Sequence, residues 1–283
     1  LAGDDHGAKS STTAHQSDHA FIHFGMPILN PSTVQDYIDF GLKGIAMSRY
    51  SGCWVGMKCV TDTVESAASV DISLERFKPN LPPASDNLKE VHLQWGFIPA
   101  ASETRLFQRK LPAAKEFAKH NSIDRVIFQG KKKLAIVTSG KAYLDVRQAL
   151  DELGLTEKKC KEIGISLYKV GMVWPLEPDN ILDFVDGHNE VLVIEEKRPI
   201  IEDQLIKYLF NKPNRPIIIG KNDENGDDLI PSDGELSPSF LSLIVAKRIQ
   251  NLSLEVDLTP RIKDIEELIS NIQNSPGSDL FRL

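Results

Sequence analysis

The run from Gly3 to Asp18, Gly-Asp-Asp-His-Gly-Ala-Lys-Ser-Ser-Thr-Thr-Ala-His-Gln-Ser-Asp, holds five hydroxyls, two imidazoles and one primary amide within sixteen residues. Ser, Thr and Gln side chains both donate and accept hydrogen bonds, which suits recognition of a carboxylate or a 2-oxo group. In a parallel α/β domain such a loop, at the C-terminal edge of a strand, is where ligands bind. The same groups can instead satisfy the backbone of a long turn, and spacing alone leaves both readings open. His15, His19 and His23 recur every four residues and would share one face of a helix. They lack the Glu of a zinc-protease motif and an evident further ligand, so no metal site is expected.

Other chemistry is poorly represented. Neither G-x-x-x-x-G-K-[ST] nor a G-x-G-x-x-G after a strand occurs. The three cysteines, Cys53, Cys59 and Cys160, are too few for a four-thiolate iron–sulfur centre and form no C-x-x-C pair. They fit buried thiols in a reducing cytoplasm.

The elements that position the loop follow from periodicity. Leu1-Ala2-Gly3 reads as the end of a strand. Val34, Tyr37, Ile38, Leu42 and Ile45 form one helical face behind the start signal Pro31-Ser32-Thr33. Trp54–Val60 is a short strand after the turn Ser51-Gly52. Residues 71–133, punctuated by Pro79, Pro82, Pro83, Pro99 and Pro112, read as an ordered connector. It carries one helix over Ser102–Asn121, packed through Leu106, Leu111 and Phe117, and aromatics (Trp95, Phe97, Phe107, Phe128) that a disordered linker would lack.

Residues 134–220 alternate strand and helix. Strands are predicted at Leu134–Thr138, Ile165–Val170, Glu190–Ile194 and Pro216–Ile219. A helix carrying Ala142, Val146, Ala149, Leu150 and Leu153 and stopped by Gly154 follows the first strand, and helices at Glu177–Asp186 and Ile200–Phe210 follow the next two. This order implies right-handed crossovers and a parallel sheet in a three-layer domain. Asn222–Gly234 is a hairpin or surface loop, and Ser237-Pro238 opens a helix over Phe240–Ile249. Beyond Asn251 an amphipathic stretch carries Ile262, Ile265, Leu268, Ile269 and Ile272 on one side, before the loose Asn274-Ser275-Pro276-Gly277. The division expected is 1–70, 71–133, 134–250 and a helical tail, 251–283.

Composition bounds the partners. With 41% hydrophobic and 26% charged residues, the chain has the balance of a soluble globular protein. A net charge of −7 gives no nucleic-acid footprint. Lys131-Lys132-Lys133 reads as a solvated strand entry. No apolar run reaches the ~18–20 residues of a membrane span, and no secretory signal opens the chain. Cytoplasmic location is the expectation. The first residue is Leu1 rather than Met, so an incomplete chain is expected too.

Several long runs carry a resemblance. Asp4–Ser11 with His15–Asp18, Met47–Glu65, Leu167–Pro178, Val193–Arg198 with Ile201–Gln204, and Gly234–Pro238 resemble fused bacterial indolepyruvate ferredoxin oxidoreductases, of the 2-oxoacid:ferredoxin oxidoreductase family. The matches spread over most of residues 1–250. The resemblance implies an α/β fold: the C-terminal part of a thiamine-type pyrimidine-binding domain, then a parallel-sheet, transketolase C-terminal-like three-layer domain.

It also implies a chemistry. Such enzymes decarboxylate an aryl or related 2-oxo acid with thiamine diphosphate and magnesium. They pass electrons through iron–sulfur clusters to ferredoxin and transfer the acyl group to coenzyme A. The cofactor supplies the organic chemistry and the protein positions it. The partners implied are the remaining domains of the same enzyme, ferredoxin and a second copy in a homodimer, with no nucleic acid and no membrane.

By the same resemblance, the Glu that activates thiamine lies upstream of Leu1. The Gly-Asp-Gly…Asn diphosphate motif is absent, Gly226-Asp227-Asp228 being a poor imitation, and so are the cluster cysteines. No acid, base or nucleophile is therefore assigned within this chain. Asp5, His6, Ser10, Ser11, His15, Gln16 and Arg49 are the residues expected near substrate or cofactor, as polar wall. His6, His15 and His19 can handle protons or be structural. Arg49 and Lys58 can attract a carboxylate, or make an ion pair. Glu195-Glu196-Lys197-Arg198, just past a strand, reads as a salt-bridge cluster at a domain interface. The alternative function is a non-catalytic assembly or anion-binding module on the same fold.

Overall fold

A computed structural model describes residues 1–83, 91–92 and 98–273. Trp95, Phe97 and the segment 274–277 lie outside the described residues.

Two sheets organise the chain. The first has the order β1-β3-β2-β7, from β1 (Ala2–Asp4), β2 (Ile28–Leu29), β3 (Gly56–Val60) and β7 (Met172–Trp174). β1 and β2 run parallel to β3, and β7 is antiparallel to β2. The second has the order β4-β6-β5-β8-β9, from β4 (Arg125–Phe128), β5 (Leu134–Ser139), β6 (Ile165–Val170), β8 (Glu190–Ile194) and β9 (Ile217–Ile219). All its pairings are parallel except that of β4 with β6.

The parallel core is the one expected. Residues of β5, β6 and β8 are uniformly buried, as sheets covered on both faces require. On one face α6 (Gly140–Glu152), α7 (Glu157–Ile163), α10 (Pro238–Asn251) and α11 (Thr259–Gln273) close over Ile136, Val146, Leu167, Leu192 and Val245. On the other, α8 (Pro178–Val185) and α9 (Ile201–Leu209) cover Val137, Tyr168, Val191 and Val193.

The structure adds elements that periodicity did not predict. Arg125–Phe128, within the span read as connector, is the antiparallel edge strand of the second sheet. Met172–Trp174, within the 134–250 span, is a strand of the first sheet. Both are short, so a period of two has little room to show. α7 was also unforeseen; Thr156 caps it by accepting from Lys159 N, and Gly164 ends it at φ +99°.

Lying in sequence between α1 (Asp18–His23) and α3 (Thr61–Val64), α2 (Val34–Ser51) has a full capping box. Thr33 Oγ1 accepts from Asp36 N, and the Asp36 carboxylate accepts from Thr33 N. The expected strand at Trp54 begins only at Gly56; Trp54 is 81% exposed and stands before it.

The single helix expected over Ser102–Asn121 is instead α4 (Pro99–Arg105), a π-helical segment at Leu106–Lys110, and α5 (Leu111–His120). Pro112 sits in the first turn of α5, and its missing N–H gives a physical reason for the local change of helical pairing. Leu111 and Phe117 are buried against Phe40 and Met47 of α2, with Leu106 packed alongside. Along α11, Ile265 is buried and Ile262 and Ile269 pack partly, whereas Leu268 and Ile272 are exposed. The apolar stripe is covered over half its width. No helix among the described residues is long and apolar enough to cross a membrane.

Candidate functional site

The loop after β1 is pinned rather than free. Asp4 accepts from Ser17 N at 3.1 Å and from the Ser17 hydroxyl, closing the loop's two ends. Asp5, buried, accepts from Lys9 N at 2.9 Å and Ser10 N at 2.6 Å, and from the Ser10 hydroxyl. Burial pushes the Asp5 carboxyl up, but these donors outweigh it and hold it well below the usual carboxylate range. Asp5 is therefore an anionic brace of the turn.

His6 crosses to the second sheet. Its Nδ1 lies 2.6 Å from Glu196 Oε2, at the end of β8, and both side chains are buried. Lys141, at the start of α6, reaches Glu196 at 3.1 Å and Asp145 at 2.8 Å and donates to Leu236 O. Burial raises the Glu196 pKa, yet the His6 hydrogen bond and the Lys141 charge bring it down to about 2. Lys58 of β3 lies 2.7 Å from Asp18 and 3.7 Å from Asp4. Burial disfavours the Lys58 charge and the two carboxylates overcome it, so its pKa is raised.

The remaining loop contacts run the same way. Lys9 pairs with Glu235 at 2.6 Å, and Gly7 approaches that carboxylate so closely that a Cβ would stand 2.7 Å from it. The Gln16 amide oxygen accepts from Arg198 N and Nε at 3.2 Å, and its NH2 donates to Arg198 O. Of the run Glu195–Arg198, Glu196 and Arg198 thus reach the loop after β1, whereas Glu195 accepts locally from Ile201 N and Glu202 N. His15 presents Nε2 to Gly3 O at 2.8 Å and Nδ1 to Thr13 O at 3.0 Å. Those carbonyls raise its pKa above the ordinary imidazole value. Ser11, exposed, donates to Thr13 O two residues on, and its hydroxyl also helps hold the Asp5 carboxyl down.

At the centre of this network is a small polar cavity of about 20 Å³, bordered by His6, Asn30, Lys58, Ser139, Lys141 and Glu196. That is room for a single water. His6 Nε2 and Asn30 Oδ1 are buried there without a hydrogen-bond partner among the described residues. Gly140, at φ +54°, is packed so tightly on Asn30 that a Cβ would meet its amide at 2.5 Å.

Six of the seven candidate residues, Asp5, His6, Ser10, Ser11, His15 and Gln16, are thereby gathered on one loop at the strand ends. Arg49 is not among them. It lies exposed on α2, beside an apolar groove with Ile45, Trp54 and Val55. Sequence reasoning missed Asn30, Ser139 and Lys141. The available signal was their position: Ser139 and Lys141 flank Gly140, where a strand of the parallel sheet ends.

Comparison with known proteins follows this geometry. A family model described as the indolepyruvate oxidoreductase domain matches residues 124–274. The indolepyruvate oxidoreductase subunit IorA of Methanothermobacter thermautotrophicus is 26% identical over 211 residues, covering 73% of this chain and 32% of the relative. That of Pyrococcus horikoshii is 25% identical over 275 residues, covering 93% and 38%. The chain thus spans about a third of the length of these curated relatives. Among solved structures, 2-oxoglutarate:ferredoxin oxidoreductase from Magnetococcus marinus, with 2-oxoglutarate, coenzyme A and succinyl-CoA bound, aligns at a TM-score of 0.48 and 14% identity, covering 80% of this chain and 42% of that one. A split-gene transketolase, an inactive beta4 tetramer, aligns at 0.49 and 15%, covering 90% and 66%.

Proposed function

The chain belongs to the indolepyruvate oxidoreductase domain family, and we propose that it forms one wall of the active site of a larger oxidoreductase acting on an aryl or related 2-oxo acid. In this reading the whole enzyme decarboxylates its substrate with thiamine diphosphate and magnesium, transfers electrons through iron–sulfur clusters to ferredoxin, and forms an acyl-CoA. Ferredoxin, a homodimeric partner copy and the remaining domains of the enzyme complete the assembly.

The residues of this chain do not by themselves fit those groups. The polar cavity of about 20 Å³ admits a water and no thiamine ring. No group of three or more His, Cys, Asp or Glu among the described residues could hold a metal ion. Cys53 and Cys160 are buried, Cys59 is half-buried, and burial raises all three thiol pKa values, the reverse of what a cluster ligand needs. No step is therefore derived through a cofactor held by this chain alone.

What the chain supplies is placement. The observation that carries the reading is the family match together with a hydroxyl- and amide-rich loop locked across two sheets by His6–Glu196 and Lys9–Glu235. Such locking fixes the polar wall before a substrate arrives, which is what positioning requires. The exposed apolar side chains Ile45 and Trp54, beside Arg49, supply a surface on which further domains can pack.

Ser11→Ala in the full-length enzyme tests the wall. Its exposed hydroxyl makes contacts only within its own turn, to Thr13 O and to the Asp5 carboxylate, so the melting temperature should change little. KM for the 2-oxo acid should rise, or kcat fall, by about tenfold, the scale of one substrate hydrogen bond. Unaltered kinetics would remove Ser11 from the site.

A further inference from the structure

The hydrogen bonds of His15 depend on its protonation state. Nε2 lies 2.8 Å from Gly3 O, and Nδ1 lies 3.0 Å from Thr13 O. A neutral imidazole has one N–H and one lone pair, so it donates to one of these carbonyls and turns its lone pair on the other. The imidazolium donates to both. Neither carbonyl is free to turn away. Gly3 belongs to β1 and pairs in parallel with β3, opposite Cys59. Thr13 O also accepts from the Ser11 hydroxyl at 3.0 Å, and the His15 backbone N–H donates to Asp5 O at 3.3 Å. With 41% of its side chain exposed, the ring exchanges its proton with water directly.

The charges facing the ring favour the same form. Asp4 of β1 has one carboxylate oxygen 3.8 Å from Nε2, and Asp5 of the loop adds a second negative charge. Asp4 is shared, its other oxygen lying 3.7 Å from Lys58 of β3 and 3.9 Å from His6. The Thr13 carbonyl, then that of Gly3, raise the imidazole pKa above its ordinary 6.5, against partial burial that lowers it. A group whose pKa a structure raises stabilises that structure while protonated. The closed loop therefore has the full gain below pH 6.5 and loses it as pH climbs through the raised value.

We propose that His15 is a positioning residue of the loop: as an imidazolium it ties the tip at Thr13 to β1 at Gly3, and loss of its proton frees Thr13, the carbonyl on which Ser11 is set. Its consequence for catalysis rests on the reading of this loop as a polar wall; the staple itself does not.

The test is an NMR titration of the whole chain, with nitrogen-labelled histidine and backbone, from about pH 5.5 to 9. The ring signals of His15 are assigned by their loss in His15→Gln. The midpoint at which the ring passes from two protonated nitrogens to one is expected above 6.5. Backbone order parameters of Ser11–Ala14 should stand near the ~0.85 of rigid backbone below that midpoint and drop toward ~0.6 above it. In His15→Gln, which does not titrate, they should not change with pH. A midpoint at or below 6.5, order parameters that do not move across it, or the same change in His15→Gln would overturn the proposal. Should His15→Gln fail to fold by circular dichroism, through-bond assignment of the wild-type ring replaces it, and the wild-type midpoint and order parameters decide. The titration needs no substrate or cofactor, so its failure leaves the proposed reaction standing, and a full-length enzyme without turnover leaves the titration standing.

Discussion

Glu195 and Glu196 are neighbours at the end of β8, yet their surroundings drive their carboxyls in opposite directions. Glu196 faces His6 and Lys141 and falls to about 2. Glu195 is pushed up to about 7 by burial, against the hydrogen bonds it accepts from Ile201 N and Glu202 N and the charge of Lys221. The consequences for stability have opposite signs. Glu196, with its folded pKa depressed, adds stability that is present above the unfolded carboxylate range and lost as pH falls toward 2. Glu195 stays protonated in the folded chain while the unfolded chain has ionised, so between about pH 4.5 and 7 it makes stability fall as pH rises. From 4.5 to about 7 that loss is on the order of 3 kcal/mol. Urea midpoints measured from about pH 5 to 8 should decline for the wild type and decline less steeply for Glu195→Gln. Equal slopes would show that Glu195 is ionised in the fold. None of this was legible in the sequence, where the two glutamates are chemically alike. Their difference arises from contacts 190 residues apart, such as His6 with Glu196.

At the scale of elements, α2 shows how a legible start signal acquires a second task. Pro31-Ser32-Thr33 announced the helix, and Thr33 caps it as expected. Asp36, the third helical residue, does more than complete the capping box. It also meets Lys169 of β6, both side chains being buried, and Arg125 of β4 at 2.9 Å. It therefore ties α2 to the second sheet. Thr33→Ala should cost about 1 kcal/mol, the value of a cap. Asp36→Ala should cost about 3–5 kcal/mol, because Lys169 is left buried without the carboxylate it is bonded to. Chemical denaturation of the two variants checks the ratio; similar losses would make Asp36 merely a cap. The strands β5, β6 and β8 were legible for the same local reason, each being a run rich in apolar and branched residues between turns. By contrast, β2, β4 and β7 have two to four residues, and partners distant in sequence decide their pairing.

Over the whole molecule, the two sheets are joined by charged and polar side chains and not by apolar packing alone. His6–Glu196, Lys9–Glu235, Gln16–Arg198 and Asp36–Lys169 all span more than a hundred residues of sequence. Such contacts fix orientation and register more than they add net stability. This suits the proposed role of holding a loop in place for reacting groups carried elsewhere. The candidate loop was legible from its density of hydroxyls, whereas the cluster beneath it, with Asn30, Ser139 and Lys141, was assembled only by the fold. The most direct measurement is viologen reduction by the full-length enzyme, loaded with thiamine diphosphate and magnesium and supplied with coenzyme A and arylpyruvates or branched 2-oxo acids. Reduction that depends on the 2-oxo acid is the predicted result. A correctly loaded enzyme that reduces no viologen and releases no CO2 from any of these acids would contradict the proposed function.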